Sequence, residues 1–193
     1  MNDQSKHKEL VDMTNEQLWQ LFPVILSPHE EKWKDIYKEE ASHLLDIIGG
    51  NIERINHIGS TSVPGLTAKP TIDILVEIRE DTNISELISI MKSEGYIYLE
   101  QPDKPAPHMV FYKGYTPQGF AENVFHIHVR YPGDWDEIYF RDYLRTHPDI
   151  AGEYGALKIN LKETYGYNRD AYTNAKTDFI QKINRLARSN REK

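Results

Sequence analysis

The stretch Thr71–Ile78, TIDILVEI, sets the tightest limit on what this chain can fold into. Its apolar run of Ile72, Ile74, Leu75, Val76 and Ile78 asks for burial on both faces. That is the pattern of an interior strand in a sheet covered on both sides. Asp73 is an acid set inside that apolar element. Just upstream, His57–Ile58 reads as a strand end, Gly59–Ser60 as a turn and Pro64–Gly65 as a loop, followed by Lys69–Pro70. The rest of the chain is organised around this segment.

Periodicity supplies the neighbours. Thr14 and Gln17 have capping-box spacing for a short helix through Leu21. Residues 23–26 read as extended. Trp33, Ile36, Tyr37, Leu44 and Ile47 form one helical face within His29–Ile48, closed by Gly49–Gly50. Strands are expected at 52–58, 71–78, 96–100, 109–113 and 123–131, with GYTPQGFAE between the last two as a hairpin loop. Ile84, Leu87, Ile88 and Met91 predict a helix capped near Asn83 and ended by Gly95. Pro102, Pro105 and Pro107 make 101–107 a surface loop. Three helices follow: 135–147, a second capped by Asp149 and running to Tyr165, and a last one capped by Asn168 or Asp170. This order implies an α+β sheet with a C-terminal helical cap. Residues 1–22 read as an extension with a short helix, and 23–193 as one domain.

Composition excludes several classes. Net charge is −7, which argues against general nucleic-acid binding, since that needs many Lys and Arg to displace counterions. The basic tail from Arg185 reads as a frayed helix end. There is no cysteine, hence no disulfide, thiolate metal site or Cys nucleophile. No apolar run reaches membrane-span length, and no signal-peptide pattern opens the chain, so cytoplasm is the expected location. The loop from Gly59 to Gly65 is too long for a P-loop, and neither G-x-S-x-G nor G-x-G-x-x-G occurs.

A larger set of residues carries a resemblance. His57 to Leu66, Lys69–Pro70, Ile72–Asp73–Ile74 and His126–Ile127–His128–Val129 belong to it. So do Phe140 to Arg145, His147–Pro148, Tyr154, Leu157–Lys158, Tyr172 and Lys176. Together they resemble the GrpB family over about residues 23 to 180. Leu26–His29 departs from the Tyr-Asp start of many members. The resemblance implies a nucleotidyltransferase-like fold of the polymerase-β type, a mixed sheet flanked by helices. Fusion of some members to dephospho-coenzyme A kinase implies nucleotide or coenzyme A chemistry.

In that fold a Gly-Ser turn cradles phosphate, so Gly59 and Ser60 are expected at the anion, with hydroxyls added by Thr61 and Ser62. The bland alternative is a tight turn with a cap. Two acids at i and i+2 normally hold Mg²⁺. Here Asp73 is present but position 75 is Leu, and Glu77 lies about 13 Å along the strand. His126 and His128 share one face of a later strand. With Asp73 they make a two-His, one-carboxylate set suited to Zn²⁺, Mn²⁺ or Fe²⁺ over Mg²⁺. The alternative is one packed and one surface imidazole, and His57 either joins the set or caps its strand. Lys69 meets phosphate or neutralises Asp73, and Arg130, after His128, is a further anion candidate. Lys158 and Lys176 either point back to the cleft or lie on solvated helix faces, and Tyr154 and Tyr172 are core or stack on a base. Three functions remain open: metal-dependent nucleotidyl or phosphoryl transfer on a small phosphorylated ligand or nucleotide; a non-catalytic nucleotide or coenzyme A-related binding domain; and a structural or interaction role. Transfer requires Asp73, His126 and His128 to converge.

Overall fold

The computed structural model describes residues 10–101, 104 and 107–191. Five strands form one mixed sheet in the order β1-β2-β5-β4-β3. They are β1 (Ile52–Ile58), β2 (Ile72–Ile78), β3 (Ile97–Glu100), β4 (Met109–Thr116) and β5 (Gly119–Arg130). Only β2 and β5 pair in parallel; the other neighbours are antiparallel. The apolar run thus does form an interior strand, with β5 at the middle of the sheet.

Alternation divides the faces. Ile72, Ile74, Val76 and Ile78 of β2 join Phe125, Ile127 and Val129 of β5 in the main core. Helices α2 (Lys32–Ile48) and α3 (Ile84–Ser93) cover that face with Trp33, Leu44, Leu87 and Met91. Burial of such side chains contributes about 1.5–3 kcal/mol each, so this layer dominates stability. A buried Glu40, ion-paired with Lys113 at 3.0 Å and bonded by the Tyr96 hydroxyl, lies on that side too. The opposite face carries Asp73, Leu75, Glu77, His126, His128 and Arg130. It is covered by α4 (Asp136–Thr146), α5 (Pro148–Tyr165), α6 (Arg169–Asn174) and α7 (Thr177–Arg191). Val63 and Leu66 of the Pro-Gly loop pack there with Leu144, Ala151 and Tyr154 in a second core.

Several local readings change. Helix α2 begins at Lys32, because Glu30 and Glu31 form an initial tight turn with Trp33 and Lys34. His147 caps α5 with Pro148 in its first turn, so Asp149 lies inside the helix. The expected last helix is two, with Asn168 accepting from the Ala171 N–H at the start of α6. The basic tail stays helical to Arg191, and Arg188 anchors it on Asp134 and Asp136. The short helix α1 (Asn15–Leu21) has the expected Thr14–Gln17 capping box. Pro102 and Pro105 of the expected loop lie outside the described residues, as do residues 1–9 and 192–193. Among the described residues no helix is long and apolar enough to cross a membrane.

The largest correction concerns GYTPQGFAE. Most of it is strand: Tyr115 pairs with Phe120 and Thr116 with Gly119 across a tight hairpin. A bulge between Lys113 and Tyr115 breaks the alternation that periodicity depends on. Gly114 sits there at φ 88, and an added Cβ would run into the Asn123 carbonyl. The irregularity leaves Tyr115 against Tyr112 and His126. Gly114→Ala is expected to lower stability by about 1–3 kcal/mol through backbone strain, read as a fall in urea midpoint with unchanged slope.

Candidate functional site

Parallel register builds the centre of the site. Asp73 of β2 lies opposite His126 of β5, and Leu75 opposite His128. His126 Nδ1 is 3.1 Å from Asp73 Oδ1, and His128 Nε2 is 3.6 Å from the same oxygen. All three offer one ligand atom within 4.8 Å of one another. Two ligands of one tetrahedral ion stand about 3.4 Å apart at bond lengths near 2.1 Å, so the spacing of these donors fits a divalent ion with small adjustment. All three side chains are partly exposed, which leaves room for a further ligand.

Hydrogen bonding assigns the imidazole. An ionised carboxylate only accepts, so His126 Nδ1 carries the hydrogen toward Asp73. Its Nε2 lies 2.7 Å from the Tyr115 hydroxyl, which donates to it, and Arg169 Nη2 donates to the same oxygen at 2.9 Å. Enclosure works against ionisation of Asp73, but the hydrogen bonds from His126 and His128 outweigh it and hold the carboxyl well below its usual range. Burial pushes the His126 imidazolium down, against the pull of Asp73, so a neutral donor ring is the consistent state.

The Gly59 turn is pressed onto this acid. Gly59 has φ 69, and a Cβ there would come within 2.9 Å of Asp73 Cβ. No other residue type meets both demands. Ser60–Ser62 follow as a single 3-10 turn. Ser60 Oγ accepts from Lys158 Nζ at 3.0 Å. Thr61 and Ser62 turn inward instead. The Thr61 hydroxyl donates to the Thr71 carbonyl at 3.1 Å, and Ser62 Oγ donates to the Gly59 carbonyl at 2.6 Å. Two arginines one helical turn apart on α4 hold the segment from outside. Arg141 donates to the His57 carbonyl at 3.0 Å, and Arg145 donates to that of Ser62 at 2.8 Å.

Cations gather beside the turn. Lys69 and Lys176 approach the ring of the fully buried Tyr172 at 5.7 and 4.5 Å from its centre. Buried Lys158 also donates to the Thr67 carbonyl and lies 4.6 Å from the Tyr154 ring centre. Burial first, then their positive neighbours, push Lys69 and Lys158 down to about 7. Burial likewise takes Lys176 to about 8. Lys69, Lys158, Lys176 and Arg169 therefore stand against a single carboxylate.

Arg130, an expected residue, falls outside this group, as does Glu77, which its distance along the strand had already set apart. Arg130 lies one end of the sheet away, ion-paired with Glu137 at 3.1 Å, bonded to His108 and stacked on Trp135. Glu77 accepts from Arg54 at 2.6 Å and from the Gly133 N–H at 3.0 Å. His57 is structural in its contacts. It stacks on Tyr37 at 4.6 Å and donates from Nε2 to Thr61 Oγ1, whose own hydrogen is used on Thr71. Sequence reasoning missed Tyr115, hidden by the bulge, and Arg169, whose place beside a helix cap gave no hint of its target.

The GrpB protein family pattern matches residues 23–186. The glutamate-rich protein GrpB of Alkalihalophilus pseudofirmus is 37% identical over 164 residues, covering 83% of this chain and 93% of that one. The UPF0157 protein YqkA of Bacillus subtilis is 33% identical over 79% of this chain, which spans only 44% of that protein. The crystal structure of conserved protein GrpB from Enterococcus faecalis superposes with a TM-score of 0.77 at 31% identity, covering 88% of this chain and all of that one.

Burial holds His57 down at about 4, while the unfolded chain takes up a proton near 6.5. Folding stability from this residue is therefore complete above pH 6.5 and lost as pH falls toward 4, by at most about 1.4 kcal/mol per pH unit. Urea titrations at pH 7 and 5 should show that loss, and His57→Gln should flatten it.

Proposed function

The chain belongs to the GrpB family, and on that footing we propose that it is a divalent-metal-dependent protein performing nucleotidyl or phosphoryl transfer on a small phosphorylated ligand. The ligand class is a nucleotide or a coenzyme A-related compound. One observation carries the reading: three metal-competent donors adjoin a cluster of four cationic side chains. Neither half makes sense alone. A bare cation would meet a positive field from Lys69, Lys176 and Arg169, and a bare anion would meet Asp73. A metal-bound phosphate answers both.

Asp73, His126 and His128 would hold the ion, a donor set that favours Zn²⁺ or Mn²⁺. When bound, it would polarise a phosphoryl oxygen as a Lewis acid. For His126 to ligate through Nδ1 its hydrogen must move to Nε2, where Tyr115 Oη can accept it, the kind of outer support that tunes metal affinity. Lys69 and Lys176 would neutralise the phosphoryl oxygens in a partly water-excluded cleft, with Lys158 bonded to Ser60 beside them. Ser60 and the Gly59 turn would sit against the phosphate.

The fully buried Leu75 supports a second reading. With Leu in place of a second acid, and Glu77 already paired, the described residues offer no further carboxylate beside Asp73 for a second ion. A binding domain without turnover would keep everything else.

Thermal unfolding with Mn²⁺ or Zn²⁺ together with nucleoside triphosphates or dephospho-coenzyme A tests both readings. Ligand at 100 times its Kd should stabilise by about 2.7 kcal/mol. Asp73→Asn and His128→Ala should remove the metal-dependent part of the shift, and product formation separates transfer from binding. A flat response to every ligand sinks both. Binding should also weaken as pH rises from 7 to 9. Lys69 and Lys176, at about 7 and 8, lose charge across that range, while the bound anion favours their protonated forms. Calorimetry with pyrophosphate at both pH values reads this directly.

A further inference from the structure

The contact between Ser60 and Lys158 can do more than hold a phosphate. From its geometry we infer that Ser60 Oγ is a nucleophile and Lys158 Nζ its general base, so that the cleft forms a covalent intermediate on Ser60. The ligand class, a phosphoanhydride, rests on the function proposed above; the dyad itself rests on the side chains.

Three features carry it. Ser60 Oγ and Lys158 Nζ are 3.0 Å apart, within reach for proton transfer; in the neutral amine the bond reverses, the Ser60 hydroxyl donating to the Nζ lone pair. The base is oriented by a third group, the Thr67 carbonyl, which accepts from the same nitrogen, and the Tyr154 ring lies beside it. That is the nucleophile, base and orienter arrangement of covalent catalysis. Ser60 is half-buried and so can be reached, whereas Lys158 is 3% exposed and shielded from bulk water. Its neighbours Lys69 and Lys176 add to burial in favouring the neutral amine that a base requires. Thr61 and Ser62 cannot substitute, because both hydroxyls are spent on backbone carbonyls. A dyad also answers the missing acid, since the strand has no carboxylate left to activate a nucleophile.

In the step, Ser60 Oγ attacks phosphorus and an Oγ–P bond forms. The bond from phosphorus to the leaving phosphate oxygen breaks, and its electron pair departs with that oxygen. The hydroxyl proton passes to Lys158 Nζ. The leaving phosphate is neutralised by Lys69 and Lys176. Water or an acceptor hydroxyl then attacks phosphorus; the Oγ–P bond breaks with its electron pair returning to Oγ, which takes back the proton from Lys158 Nζ.

A fluorophosphonate probe tests the dyad without nucleotide or metal, since Oγ–P bond formation there expels fluoride. Peptide mass spectrometry should find the label on Ser60 of the full chain and none in Ser60→Ala. Lys158→Arg keeps a cation but cannot act as a base, and labelling should slow about 100-fold or more. Lys158→Met serves as a second variant should Arg fail to fold, with thermal unfolding as the check. An unlabelled Ser60 in the native chain overturns the proposal, as does equal labelling in a folded Lys158 variant. Labelling of Ser60 with no nucleotide-induced stabilisation would retain the dyad and discard the phosphorylated ligand. Nucleotide-induced stabilisation with no label would do the reverse.

Discussion

The hydrogen bond between Asp73 and His126 is the interaction on which the polar half of the molecule depends. It exists because β2 and β5 run parallel in a register that sets residue 73 opposite residue 126. A carboxylate on an otherwise apolar strand would be costly without donors. Two imidazoles from the adjacent strand meet that need, and Tyr115 and Arg169 extend the network to the helical cap. One face of the sheet is thus conventional core, and the other is a small polar chamber.

The chamber is assembled by backbone contacts as much as by side chains. Gly59 lets the turn lie against Asp73, while Arg141 and Arg145 bind carbonyls on either side of it. The FRDYLR segment therefore acts on the site at one remove, by holding the turn that positions Ser60. Lysines from a loop, from α5 and from the α6–α7 junction then converge on the same place. Burial lowers all three amines toward neutral pH.

How much of this could be read beforehand depends on the range of the interactions. The interior strand, the capping box at Thr14, the helix of Ile84 to Met91 and the pairing of His126 with His128 on one face all follow from spacing of 2 or 3.6 residues. The hairpin differs from its expected loop because the register breaks at Gly114, where β5 carries extra residues and the alternation of β4 is lost beyond it. Tyr115 therefore looked like loop when it faces the site. Arg130 shares a face with His128, yet it is spent on Glu137 and Trp135, and no spacing rule reports which partner a long side chain takes.

By itself the sequence determined the α+β class, the buried run around Asp73, the glycine turn before it and the family resemblance, because each is written in local periodicity, turn chemistry or motif spacing. Tertiary structure alone decided that Asp73, His126 and His128 converge and that Lys69, Lys158, Lys176 and Arg169 surround them. It also decided that Thr61, Ser62 and Glu77 are occupied elsewhere. These are contacts between residues far apart in the chain, set by strand register and by how the helical cap docks on the sheet. Such contacts depend on distances in space that a local pattern does not encode.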